Sequence, residues 1–217
     1  MKPIEVIRQA CELILDENHI KKAQTLISRQ YGHKPRERGT RNMGYTDKLK
    51  IFLRDGFIDR YTGKRLLFPS VLRILSIKLG QYVFPFHPNW KMSESHIAYW
   101  EYMPTCDHVM PRARGGGKGE KNMVTTSQQM NSAKSNSLIG EIGFELFDKG
   151  SLDDWDGMLS WYLQYRANHE DVIRNTSYLK RWNGALNSCL RQKIIAVDVD
   201  GKIKLGSVAV PEYRKEN

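Results

Sequence analysis

An α+β fold is expected for this chain: a single, mainly α-helical domain carrying small β-hairpins, one of which leads directly into a short helix. Three observations predict it. Apolar residues recur at helical spacing from Pro3 to about Arg29 and again between 152 and 190. The run IIAVDVDGKIKL alternates in hydropathy around Asp200-Gly201, a dipeptide suited to a tight hairpin turn. Between 102 and 135, two short strand-like runs flank a glycine-rich loop and lead into a polar stretch of helical length.

Residues 1–45 are expected to form a helical segment and a basic arm. Ile4, Val6, Ile7, Ala10, Cys11, Ile14 and Leu15, then Ala23, Leu26 and Ile27, predict two short helices broken near Asn18-His19. From Arg29 to Arg41 (RQYGHKPRERGTR), five Lys/Arg stand against one Glu, and Gly and Pro oppose a helix, so an arm able to touch nucleic acid is expected. Residues 46–150 form the next region. Thr46 can cap a helix that runs to Arg54 and ends at Gly56. Phe57 to Phe68 reads as a small hairpin with Thr62-Gly63 near its turn, and Ser70 starts an apolar helix, VLRILSIKL, stopped at Gly80. The aromatic stretch YVFPFHPNWKMSESHIAYWEYMP reads as an ordered loop, with Trp90 and Trp100 in the core. In 151–217, Leu152 to Arg166 and Asp171 to Leu190 predict two amphipathic helices ahead of the last hairpin. Asp198, Asp200 and Gly201 mimic the start of a calcium loop, but Gly206 to Val210 are neutral, so a plain turn is expected.

With 217 residues the chain can bury a real core, and its formal charge of +10 favours polyanionic partners. Cys11, Cys106 and Cys189 are odd in number and far apart, so no disulfide framework follows. The N-terminus lacks the apolar run of a signal peptide and no stretch is long enough to span a membrane, so a reduced, cytoplasmic setting is expected. Cys106, His87 and His96 are irregularly spaced and lack a fourth partner, which argues against a structural zinc.

The chemistry concentrates in CDHVMPRARGGGKGEKNMVTTSQQMNSAKSN. Tyr102 to Val109 and Met123 to Thr126 read as strands, RGGGKGEK as their loop, and Gln128 to about Ser135 as a helix. Asp107 and His108 then stand together at a strand end, a metal ligand beside a general base. Asp107 and Asn131 are oxygen donors suited to Mg²⁺ or Mn²⁺. Asn122 can orient the base. Lys134 lies one helical turn beyond Asn131 and can face the same side, toward phosphate. Arg112, Arg114 and Lys118 crowd the loop as phosphate clamps.

The order Asp-His, Pro, Gly-Gly, Asn, then Asn-x-x-Lys resembles the motif of HNH endonucleases over 103–136, and the flanks FLRDGF, LLFPSVLRILS, FPFHPNW and WDGML are similar to stand-alone bacterial members. The resemblance implies a ββα-metal core and a metal-dependent endonuclease cutting phosphodiester bonds in DNA, expected to be double-stranded, with 5′-phosphate and 3′-hydroxyl products. It implies His108 as the base that activates water, Asp107 and Asn131 as Mg²⁺ (or Mn²⁺) ligands, and Asn122 bonded to the imidazole. Many members carry zinc-binding cysteine pairs, from which this sequence departs. Restriction, defence and mobile-element roles all use such a site, and a homodimer would be needed to cut both strands. Two other readings stay open: a non-catalytic DNA-binding module with an HNH-like fold, and a nuclease acting on RNA or single strands.

Overall fold

The structure, a computed structural model, describes residues 2–32 and 43–213. In place of one body, the chain divides into two compact units, Met1–Arg41 and Asn42–Asn217. Positions 33–41 of the expected basic arm lie outside the described residues.

The first unit is a helical pair. Helix α1 (Pro3–Ile14) opens on a proline whose missing N–H costs nothing there, and α2 (Ile20–Gln30) follows a single 3₁₀ turn, Glu17–His19. The break falls where Asp16 accepts a hydrogen bond from the Asn18 amide (3.0 Å). Val6, Ala10 and Ala23 are the buried residues of the pair.

The second unit mixes helices with two small antiparallel hairpins. Helix α3 (Tyr45–Arg54) starts after Gly44, with Thr46 already inside its first turn and not acting as a cap. The chain then reverses at Gly56 (φ +62), where a Cβ would stand 2.5 Å from the Gly150 backbone. Helix α4 (Pro69–Val83) loses helical geometry at Gly80 (φ +81), the expected stop. The aromatic stretch is an ordered loop holding the short α5 (Ala98–Glu101). Phe84, Tyr99 and Met103 pack there with Leu72, and Trp90 and Phe86 lie against them. Strand β1 (Pro104–His108) pairs with β2 (Met123–Ser127) and helix α6 (Gln128–Lys134) follows, so the β-hairpin–helix unit is present.

Toward the C-terminus come α7 (Leu159–Asn168), α8 (Glu170–Asn175), α9 (Ser177–Arg191), β3 (Ile195–Val197) and β4 (Ile203–Leu205). Helix α7 starts seven residues later than the pattern of apolar residues predicts, because Gly157 (φ +67) and Met158 (φ +64) are left-handed. Gly157 lies flat on Phe57, where a Cβ would come within 2.6 Å of the ring. The helix expected over Asp171–Leu190 is two, divided at the extended Thr176. The main core joins α3, α4, α7 and α9: Phe52, Phe57, Phe68, Tyr162, Leu186 and Cys189 gather around Trp182, whose ring meets Tyr45 at 4.8 Å. Residues from 46–150 and from 151–217 thus share one core. No helix among the described residues is long and apolar enough to cross a membrane.

Candidate active site at the β1–β2 hairpin

The hairpin is held from outside by the segment just after α3. Asp55, wholly buried, takes Arg54 on both oxygens (2.9 and 3.0 Å), Arg60 on Oδ1 (3.2 Å) and the Thr125 amide of β2 on Oδ2 (2.7 Å). Four residues on, past the chain reversal at Gly56, Asp59 accepts from the Tyr61 amide, the Thr126 hydroxyl and the Ser127 amide. Between them the Arg60 amide donates to Thr125 O (2.8 Å). Two carboxylates and one amide therefore pair β2 as a third strand would, satisfying backbone groups that burial would otherwise leave costly. Arg54 also reaches the carbonyls of Met123, Glu120 and Pro211. Sequence reasoning missed this bracket; its signal was the pair of acids four apart, each beside an arginine, in RDGFIDR.

At the end of β1 the loop is fastened by Asn122. Its side-chain oxygen accepts from the Met110 amide, its Nδ2 donates to Met110 O and Gly117 O (each 2.9 Å), and its own carbonyl accepts from Val109. Both amide hydrogens are engaged by loop backbone, so Asn122 positions His108 through the chain and makes no bond to the imidazole. The reason is local: Asn122 ends a 3₁₀ turn directly opposite the backbone that leaves His108. Gly116 fits beneath this clip, where a Cβ would collide with the Met110 carbonyl and stand 2.8 Å from Asn122 Nδ2. Gly116→Ala is expected to cost about 1–3 kcal/mol, read from thermal denaturation, and to loosen His108.

Asp107 is buried. The hydroxyl of Tyr61, itself buried, donates to Asp107 Oδ2 (2.6 Å), and Lys134 Nζ lies 2.9 Å from the same oxygen. Lys134 also donates to His108 O (2.9 Å). Its side chain is 0% exposed. The expected outward phosphate contact is thus replaced by an internal clamp that ties α6 to the end of β1. Tyr61 was not foreseen, since a turn residue 46 positions upstream gives no pattern to read. Burial pushes its phenol far above the ordinary range, with the Asp107 charge adding to the effect, so it stays a donor.

His108 is half-buried, and its Nε2 is sealed from solvent without a hydrogen-bond partner. Burial holds its pKa below the ordinary 6.5, Asp107 opposes this, and Arg112 and Lys134 reinforce it. The ring is neutral at neutral pH and can accept a proton. Asn131 is half-buried on α6, one turn before Lys134 and on the same side of the helix. Among the described residues, neither its amide nor Asp107 Oδ1 has a hydrogen-bond partner. One carboxylate oxygen and one amide oxygen are hard donors, the chemistry that Mg²⁺ and Mn²⁺ prefer.

Arg112, Arg114 and Lys118 are exposed on the loop, and Arg114 pairs with Glu141 (2.8 Å). His87 and His96 each cap a local turn, accepting from the amides of Asn89 and Ala98, while Cys106 packs on the main core. Comparison with known proteins returns no matching family, no matching curated protein and no matching solved structure.

Proposed function

We propose that this chain is a metal-dependent endonuclease of the HNH type, hydrolysing phosphodiester bonds in DNA. The observation that carries the reading is the pairing at the hairpin end: a neutral imidazole beside a fixed carboxylate, with Asn131 on the helix that Lys134 clamps to both residues. His108 accepts the proton of the attacking water. Asp107 Oδ1 and the Asn131 amide oxygen would hold Mg²⁺ or Mn²⁺. When bound, that ion supplies Lewis-acid stabilisation of the phosphate and of the leaving oxygen. Asn122 keeps the His108 backbone in register, and Tyr61 with Lys134 fixes the carboxylate. Arg112, Arg114 and Lys118 grip phosphates, which sets position and affinity but not sequence.

The test is supercoiled plasmid incubated with Mg²⁺, Mn²⁺ or EDTA. Metal-dependent nicking is expected. Plasmid bound equally well with and without metal, and left intact, would favour the binding-module reading. Competition between duplex and single-stranded ligands decides the substrate. Linear product formed by a particle of dimer mass on DNA would assign two sites to two copies.

A further inference from the structure

We infer that the site takes its divalent cation together with the DNA phosphate rather than before it, and that Lys134 is the resident charge enforcing this order. The inference rests on the nuclease reading above. Asp107 supplies the negative charge for a cation, and that charge is already matched by a fully buried ammonium 2.9 Å from Oδ2. The ammonium is not a passing surface partner. It donates to His108 O and lies 5.9 Å over the Tyr61 ring, while the Tyr61 hydroxyl holds the same carboxylate oxygen from another side. His108 and Asn131 add no charge to offset it.

A divalent ion reaching Asp107 Oδ1 in the free protein would share one carboxylate with Lys134, in a place where water screens poorly. Arg112, whose field also reaches His108, adds to the positive side. A phosphodiester entering the shell supplies the missing negative charge, and its neighbours along the strand add more. Metal affinity is therefore low in the free protein and high on DNA. By linkage, the metal tightens DNA binding by the same factor.

The experiment follows Mn²⁺ binding by electron paramagnetic resonance, using His108→Ala protein so that DNA stays uncut. Binding is measured with and without saturating duplex, and duplex alone is subtracted. DNA is expected to tighten Mn²⁺ by about tenfold or more. Lys134→Met is expected to raise the affinity of the free protein by about tenfold and to shrink the gain from DNA. Tyr61→Phe, which keeps the ammonium, is expected to retain that gain and serves if Lys134→Met does not fold. Equal Mn²⁺ affinity with and without DNA would overturn the inference, as would loss of the gain in Tyr61→Phe. Either result leaves the nuclease reading standing if wild-type protein nicks plasmid in a metal-dependent way, whereas a plasmid left intact with every metal would remove that reading instead.

Discussion

His108→Ala is expected to lower plasmid nicking by about 10²–10⁴-fold while DNA binding persists, the usual span for loss of a general base. The imidazole contributes no hydrogen bond through Nε2 in the free protein, so its removal should leave the hairpin folded. Circular dichroism and a gel-shift titration check the two parts separately. The same residue sets the pH dependence. Burial, with Arg112 and Lys134 helping, holds its folded-state pKa below the ordinary 6.5. Nicking should accordingly rise with pH along a limb whose midpoint lies below 6.5, reach a plateau by neutrality, and lose that limb in the variant. The stability sign runs the same way. Because the folded pKa is depressed, the contribution of this group is fully present above the unfolded value and is lost as pH falls through the folded one. A limb centred above 6.5 would mean that another group acts as base.

Asp55→Ala is expected to cost about 3–5 kcal/mol, the magnitude typical of removing one partner from a buried ion pair. The Arg54 side chain is 2% exposed, and the substitution would leave its guanidinium buried without a carboxylate and the Thr125 amide without an acceptor. Urea denaturation measures the loss, and a change below about 1 kcal/mol would show that water or Asp59 replaces the contact. Asp59→Ala should cost less, since Asp59 accepts only from neutral donors and leaves no cation stranded.

Local chemistry made much of the second unit legible. Strand-like runs on either side of a glycine-rich loop located β1 and β2, alternation around Asp200-Gly201 located the last hairpin, and Gly56 and Gly80 located two helix ends. What escaped depends on distance or on depth. Asp55, Asp59 and Asp107 each have a partner 46 to 70 residues away in sequence, beyond any local pattern. Helical phase put Lys134 on the same side as Asn131 but could not say whether that side faces solvent or the hairpin. The late start of α7 follows from Phe57, which requires a residue without a side chain at position 157. Asp107, His108, Asn122 and Lys134 do lie together, yet two of their contacts run through backbone atoms that no motif specifies.

Because Asn122 ties Met110 to Gly117, the residues from Pro111 to Gly116 form a closed ring joined to the scaffold at its base. Arg112 and Arg114 ride on that ring, whereas Asp107 and His108 lie outside it. On the nuclease reading proposed above, the backbone that carries the grip on the substrate is therefore separate from the backbone that carries the chemistry. If that reading holds, substitutions at Arg112, Ala113 and Arg114 would retune how tightly a polyanion is held, in evolution or by directed selection, without displacing the backbone of Asp107 and His108.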